Sequence, residues 1–144
     1  WGAEDLSAVL GARSTRDAHG AYLPVFEHCR NMTLLSAAAA GIAAIDTVFV
    51  DIRDHAGLER EAREAAQMGF AGKITIHPDQ VPIVNAAFTP SPEEVESARA
   101  LVEAFEQQRA EGRMAFTFRG EMVDVPHLER ARRVLATAER AGVG

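Results

Sequence analysis

Apolar and polar residues alternate along the chain in helical and strand-like patterns, which are separated by short polar or glycine-containing turns. A strand-like entry at Trp1 leads into an acidic turn and then into a helix that begins near Leu6. A helix rich in Leu and Ala is predicted over residues 22–40 and ends at Gly41. The pattern is typical of a βα unit that presents a carboxylate at the end of a strand.

The central part of the chain has the order of a βαβ unit. A β-branched and aromatic run over residues 45–50 is typical of a strand buried in a parallel sheet. An acidic turn over 51–54, an amphipathic helix over 57–68 and a short strand over 73–76 follow it. This order predicts an α/β fold with a parallel sheet.

The last third of the chain has a different pattern. Ser91 as N-cap, Pro92 at the first helical position and Glu94 as the closing residue of a capping box predict the start of a long helix. Two short apolar runs flank Arg119 and Gly120, and they predict a hairpin with glycine in its turn.

Asp124 then opens a final helix that runs through about Glu139. A hairpin and a helix after a series of βα units are more typical of a lid or a subunit contact than of the core of a barrel.

Composition limits the classes of function. The chain has 144 residues, of which 47% are hydrophobic and 25% charged, as in one globular domain or part of one. A net charge of −6 and a pI near 5.3 argue against nucleic acid as a partner. The single cysteine, Cys29, excludes an intrachain disulfide and a thiolate zinc site, and it favours a reducing, cytoplasmic location.

No segment has the pattern of a membrane span, because Gly41 and Asp46 interrupt the longest apolar run, over residues 36–50. The chain begins without Met, on the very unit that carries a candidate site. We therefore expect it to be the latter part of a larger protein.

Three groups of polar residues are candidates for chemistry. Asp5 follows a strand, and it is either a ligand for a metal or substrate or the N-cap of the next helix. The loop over residues 77–80 follows the last strand, where phosphate and cofactor sites are frequent, although a histidine before proline is more often structural. The acidic turn with Asp51, Asp54 and His55 matches no standard calcium or zinc motif and is expected to be solvated.

Five ordered blocks of the sequence carry a family resemblance. They are GAEDLSAVLG, AAAAGIAAIDTVFVDIRD, GFAGKITIHPDQV, FTPSPEEV and FTFRGEMVDVPHLERAR. In this order they resemble the citrate lyase β-subunit-like proteins. The closing block is most similar to the malyl-CoA and citramalyl-CoA lyases of the HpcH/HpaI aldolase superfamily.

The resemblance implies a (β/α)8 TIM barrel, a fold that takes about 250 residues. Residues 1–90 would supply roughly its last three βα units, and residues 91–144 would form a C-terminal extension of helix, hairpin and helix that acts as a lid or subunit contact. The first half of the barrel would lie upstream.

The resemblance also implies Mg²⁺-dependent cleavage or formation of a C–C bond in a 3-hydroxyacyl-CoA, which yields acetyl-CoA and a 2-oxoacid. Asp5 matches the second metal ligand, and Mn²⁺ could replace Mg²⁺. The first ligand, a glutamate, and a substrate-binding arginine would lie upstream. Gly2, Ala3 and Glu4 match the turn whose backbone amides could hold the substrate carboxylate.

Asp124 matches an aspartate that reaches into a neighbouring subunit's site as acid or base on the acetyl-CoA side, although helix capping also explains it. The enzyme would then be a homo-oligomer, a trimer or hexamer. The loop residues His77, Pro78 and Gln80 are expected to contact CoA.

Three alternatives stay open: a citrate lyase β subunit that acts on a citryl thioester, a malyl-CoA thioesterase, and a non-catalytic fragment or binding partner. The chain by itself is expected to be inactive.

Overall fold

A computed structural model describes residues 1–143, which form six α-helices and four short β-strands. The chain divides into two compact units, Trp1–Phe88 and a second unit that begins at Thr89. The elements of the first unit are α1 (Ala3–Leu10), α2 (Pro24–Ala39), β1 (Ile45–Asp46), α3 (His55–Met68), β2 (Gly72–Lys73) and α4 (Gln80–Phe88). Those of the second are α5 (Pro92–Ala110), β3 (Phe116–Phe118), β4 (Glu121–Val123) and α6 (Val125–Ala141).

The first unit is built around the parallel pair β1 and β2, in which Ile45 lies opposite Gly72 and Asp46 opposite Lys73. The βαβ order predicted from the sequence is therefore present. Both strands are shorter than the predicted runs over 45–50 and 73–76. Beside the paired residues, the two segments share only the hydrogen bonds from the Ala71 amide to the Ala44 carbonyl and from the Ile74 amide to the Asp46 carbonyl.

The two faces of this sheet differ. Asp46 and Lys73 point towards the helices and are buried. On the opposite face Ile45, Ile74 and Ile76 are exposed to 41%, 44% and 51%. Exposed isoleucines at alternating strand positions indicate a sheet face that is apolar and uncovered.

Helix α3 forms as predicted and begins two residues earlier. Asp54 is its N-cap and accepts a hydrogen bond from the Gly57 amide, while Gly69 ends it in the left-handed conformation. Leu58, Ala62 and Ala65 form the buried stripe. The spacing of these three residues explains why the sequence alone predicted this helix.

Helix α4 was not predicted. Its sequence, QVPIVNAAF, contains Pro82 and is nearly all apolar, so that it has no clear amphipathic period. Proline is tolerated in the first turn of a helix, where the amide has no intrahelical partner. Val84 of α4 is buried against Leu58 and Ala62 of α3, and this packing stabilises the helix.

The second unit has the predicted helix, hairpin and helix. Ser91 and Glu94 form the capping box of α5, with Pro92 in the first turn. Strands β3 and β4 pair antiparallel through a turn in which Arg119 and Gly120 have φ of 50° and 90°. Two residues with positive φ are the requirement of a type I′ hairpin.

Its core lies between α5, α6 and the hairpin. Phe105 is fully buried, and its ring lies 5.4 Å from that of Phe116 between centroids. Leu128 and Ala131 contribute the buried face of α6. Among the described residues, no helix is both long and apolar enough to cross a membrane.

Candidate functional site

The candidate site lies where three neighbouring segments end: the N-terminal segment, β1 and β2. The main-chain nitrogen of Trp1 donates to the Ile45 carbonyl at 3.0 Å, and the Ala3 amide donates to Thr47 Oγ1 at 3.0 Å. The N-terminal segment therefore runs parallel to β1, on the side opposite β2. The residues that follow these three segments come to one edge of the sheet, the carboxyl edge, where ligands bind in parallel α/β proteins.

Asp5 lies at this edge, in the first turn of α1. The helix begins at Ala3 with Gly2 as N-cap, so the expected start near Leu6 was wrong, as was the capping role for Asp5. Its carboxylate is exposed. Within residues 1–143 no donor or cation pairs with it, which leaves both oxygens free for a ligand.

Gly2 gives the Asp5 carboxylate its space. A Cβ at position 2 would lie 2.6 Å from Asp5 Oδ2, well inside van der Waals contact. The carboxylate therefore folds back over the N-terminus of α1, in a space that a side chain at Gly2 would fill. An anionic group is stabilised there by the helix dipole.

These residues fit part of a magnesium site. Mg²⁺ takes oxygen ligands and usually binds one or two carboxylates together with waters and substrate oxygens. Asp5 supplies one such carboxylate. The described residues contain no group of three or more His, Cys, Asp or Glu side chains that could hold a metal ion without further ligands.

The amides predicted to hold the substrate carboxylate are not equivalent. The Ala3 amide is buried and already bonded to Thr47, and the Gly2 carbonyl accepts from the Leu6 amide as part of the helix. Of the three amides, those of Gly2 and Glu4 have no bond of this kind among the described residues, and they are the donors left at the N-terminus of α1, where helix amides bind anions.

The loop after β2 reaches the same edge. The Asp79 amide donates to His77 Nδ1 at 3.2 Å, and the His77 ring is 40% exposed. Gln80 is buried: its Oε1 accepts from the Ile76 amide and its Nε2 donates to the Phe49 carbonyl. This arrangement favours a structural role for Gln80, which links the chain after β1 to the chain after β2. His77, Pro78 and Asp79 remain accessible in the loop.

A buried charge network lies beneath the edge and was not predicted from the sequence. Its centre is Asp46, which is fully buried. Asp46 accepts hydrogen bonds from Arg30 Nε and Nη2 at 3.1 and 3.0 Å, from Lys73 Nζ at 3.2 Å and from Trp1 Nε1 at 2.7 Å. One carboxylate thus joins α2, β1, β2 and the N-terminal segment.

The network extends outward through two glutamates, of which Glu61 is buried and Glu64 is exposed. Lys73 also contacts Glu61 at 2.7 Å, and Arg30 contacts Glu64 at 2.8 Å. Arg16 pairs with Glu61 at 2.6 Å and lies over the ring of Tyr22 at 3.8 Å. The sequence contains one signal of this network: Asp46 and Lys73 are charged residues at strand positions within apolar patterns.

Charge balance explains the pKa values of this network. Burial alone would raise the pKa of Asp46, but the Lys73 charge and the hydrogen bonds from Arg30 and Trp1 outweigh it and hold this pKa below its ordinary value. Burial, together with the charge of Glu61, raises the pKa of the Tyr22 hydroxyl. Asp46 is therefore ionised and Tyr22 neutral near pH 7.

A cleft of about 590 Å³ lies on the outer side of this network, between the 16–22 loop, α2 and α3. Arg16, Tyr22, Glu61 and Phe49 are among its lining residues. No described residue of the predicted site lines it. Phe49, Val50 and Asp51, which follow β1, also line the cleft, so it reaches the carboxyl edge without including Asp5.

Asp124 belongs to the second unit. It is the N-cap of α6 and follows β4 directly. Its Oδ1 lies 2.6 Å from His127 Nδ1, and both side chains are about 40% exposed, at 39% and 40%. Asp124 therefore lies at the expected N-cap position, where its amide donates to His127 Nδ1 at 3.3 Å, and its carboxylate remains accessible.

Comparison with known proteins identifies the family. Residues 1–143 match the family of C–C bond lyases of the TIM-barrel fold. A citrate lyase subunit beta-like protein of Mycobacterium tuberculosis is 46% identical over 98% of this chain and 50% of its own length. Mitochondrial citramalyl-CoA lyase of Mus musculus is 42% identical over 96% of this chain and 39% of its own length.

Solved structures agree with these relatives. The crystal structure of CitE from M. tuberculosis in complex with magnesium, acetoacetate and coenzyme A has a TM-score of 0.85 and 46% identity, over 96% of this chain and 51% of that one. A citrate lyase beta subunit from M. tuberculosis complexed with oxaloacetate and magnesium has a TM-score of 0.61 and 51% identity, over 62% and 40%.

The chain spans about half the length of these relatives, or less. The family match extends over all the residues that the structure describes, and the blocks of sequence that carry the resemblance lie within it. The chain belongs to the C–C bond lyase family of the TIM-barrel fold.

Proposed function

We propose that this chain is the C-terminal half of a Mg²⁺-dependent acyl-CoA lyase of the malyl-CoA or citramalyl-CoA type. The enzyme would cleave the C–C bond of a 3-hydroxyacyl-CoA to give acetyl-CoA and a 2-oxoacid, or form that bond in the reverse direction. The observation that carries the proposal is the exposed, unpaired Asp5 carboxylate above Gly2 at the carboxyl edge. The relatives named as lyases support the reaction class.

The uncovered sheet face supports a partial barrel. In a closed barrel one face of every strand points inward and the helices cover the other. Helices α2 and α3 bond to Asp46 and Lys73 on one face, whereas Ile45, Ile74 and Ile76 on the other are exposed. Upstream βα units would cover these isoleucines and bring the missing glutamate ligand and arginine to the edge.

The roles of the chain's residues follow from this placement. Bound Mg²⁺ would polarise the carbonyl of the 2-oxoacid or stabilise the corresponding alkoxide. Asp5 holds the cation, the Gly2 and Glu4 amides bind the substrate carboxylate, and the 77–80 loop lies beside the CoA moiety.

Asp124 transfers the proton on the acetyl-CoA side, at the site of a neighbouring subunit. Its exposed fraction of 39% supports this role, because a carboxylate that serves another subunit must be accessible on its own. The proposal therefore includes a homo-oligomer, and a cytoplasmic location stays a prediction.

The test is an assay of acetyl-CoA release from malyl-CoA, citramalyl-CoA and citryl thioesters by the full-length protein with Mg²⁺. Turnover of one of the first two supports the proposal. Turnover of the citryl thioester alone would instead support a citrate lyase β subunit. A relative of that name, citrate lyase subunit beta of Escherichia coli, is 40% identical and favours this alternative. Release of free malate and CoA would indicate a thioesterase.

Variants assign the residues. Asp5→Asn should lose both Mn²⁺ binding and turnover, while Asp124→Asn should keep Mn²⁺ binding and lose about 10²–10⁴-fold in kcat, as for removal of an acid or base. Glu96→Gln, which removes an exposed carboxylate on α5, is the matched control and should leave both unchanged. Wild-type turnover in Asp5→Asn would contradict the proposal.

A further inference from the structure

The position of Asp5 depends on how α1 begins. The helix has eight residues, and Asp5 is the third of them. Three hydrogen bonds fasten the preceding segment to β1 and the chain after it: the Trp1 nitrogen to the Ile45 carbonyl, Trp1 Nε1 to Asp46, and the Ala3 amide to Thr47 Oγ1. The bond to Thr47 lies nearest to Asp5 along the chain.

Thr47 is fully buried, and so is Ala3 at 1% exposure. The Thr47 hydroxyl accepts from the first amide of α1, which has no partner within the helix. Because a helix rises about 1.5 Å per residue, Asp5 lies only about 3 Å further along the axis. Any displacement of the first residue of the helix would therefore displace the Asp5 carboxylate by about the same amount.

The anchor itself is fixed. Thr47 follows Asp46, whose carboxylate is held by Arg30 from α2 and by Lys73 from β2. No buried side-chain nitrogen or oxygen in the described part of the chain lacks a hydrogen-bond partner. A fully bonded, buried network is rigid, and Thr47 transmits this rigidity to the segment that ends in Asp5.

We infer that Thr47 is a positioning residue for the cation ligand Asp5, acting through the Ala3 amide. The inference rests on the proposed function, in which Asp5 binds Mg²⁺. Mg²⁺ demands near-octahedral geometry with short ligand distances, so a small displacement of its carboxylate weakens binding. Neither the apolar pattern over 45–50 nor the names of the relatives assigns this role to Thr47.

The test measures cation binding, not turnover. Mn²⁺ is titrated into the full-length protein without substrate, and free Mn²⁺ is followed by electron paramagnetic resonance. Thr47→Val keeps the shape but removes the acceptor, and it should raise the Kd for Mn²⁺ by about 10- to 100-fold, as is typical when a group that orients a metal ligand is removed. Thr47→Ser retains the hydroxyl, so its Kd for Mn²⁺ should stay within about threefold of wild type, a much smaller increase than in Thr47→Val.

Thr33→Val is the matched control. The Thr33 hydroxyl donates to the Cys29 carbonyl within α2, so the variant also loses one side-chain hydrogen bond in the same unit. Whatever its effect on the melting temperature, it should leave the Kd for Mn²⁺ unchanged. Equal weakening in Thr33→Val and Thr47→Val would overturn the inference, because the effect would then be general destabilisation.

Trp1→Phe is a second route if Thr47→Val does not fold. It removes the Nε1 donor to Asp46 and retains a ring beside Tyr22, and it should also raise the Kd for Mn²⁺. Wild-type affinity in Thr47→Val, or in Trp1→Phe where Thr47→Val does not fold, would overturn the inference. Asp5→Asn separates the two claims: if that variant binds Mn²⁺ as tightly as wild type, the proposed metal site itself fails.

Discussion

Asp46→Asn tests whether the buried charge network holds the first unit together. The substitution keeps the volume of the side chain and removes its negative charge. Arg30 and Lys73 then face a neutral amide. Both oxygens of Asp46 accept hydrogen bonds from Arg30, so the amide nitrogen of asparagine would face an Arg30 donor in either orientation of the amide.

The expected cost follows from burial and from the partners that remain. Breaking a buried ion pair by removing one partner costs about 3–5 kcal/mol, since it leaves an uncompensated charge out of water. Here Arg30 keeps Glu64 at 2.8 Å and Lys73 keeps Glu61 at 2.7 Å. These second partners moderate the loss, so we expect the free energy of unfolding to fall by about 3 kcal/mol, the lower end of that range.

The assay is urea denaturation of the full-length protein, followed by circular dichroism at pH 7. Arg63→Ala is the control, because Arg63 pairs with Glu59 one turn away on α3 and the two side chains are 58% and 50% exposed. Exposed pairs of this kind contribute about 0.3–0.5 kcal/mol. The contrast between the two variants separates buried from surface charge.

The pH dependence has a defined sign. The pKa of Asp46 is lower in the folded state than its ordinary value of about 3.9. Its contribution is therefore fully present above that value and is lost as pH falls through the folded-state pKa. The difference between wild type and Asp46→Asn should shrink below about pH 4.

A loss of less than about 1 kcal/mol at pH 7 would refute the reasoning, because it would place Asp46→Asn with surface substitutions. A difference that stays constant as pH falls to the acid limit of folding would also refute it. In that case charge would not be the source of the stabilisation.

Three further predictions concern local structure, and the free energy of unfolding in urea checks each of them. Gly57→Ala should destabilise by about 1–3 kcal/mol, because a Cβ there meets the Asp54 carboxylate and would lie 2.9 Å from the Phe49 ring; no loss would show that Asp54 rotates away freely. Ser91→Ala removes one half of the capping box and should cost about 1 kcal/mol, whereas Ser91→Asn should cost little. Arg119→Gly should stabilise the hairpin by up to about 1 kcal/mol by relieving a positive φ of 50°, and a loss of stability would show that the side chain contacts matter more.

Much of the second unit could be predicted from sequence because its signals are local. Ser91, Pro92 and Glu94 form a capping box within four consecutive residues, and the structure confirms it. Arg119 and Gly120 mark a turn whose backbone conformation depends on two residues. Such features involve contacts along the chain, so their residues are already adjacent.

Contacts between distant segments could not be predicted in this way. Asp46 bonds to Trp1, which is 45 residues away, and to Lys73, which is 27 residues away. Helix α4 forms despite an aperiodic sequence because Val84 packs against α3. The helix carrying Asp5 begins at Ala3 because Thr47 receives its first amide, a partner that sequence spacing does not reveal.

The sequence by itself thus determined the family, the order of the elements apart from α4, and the candidate carboxylates, since these depend on residue type and local pattern. The tertiary structure decided which carboxylates are free and which are paired: Asp5 is exposed, whereas Asp46 is buried among cations. The physical reason is that the environment of a charge, its burial and its partners, is set by residues far along the chain that only folding brings together.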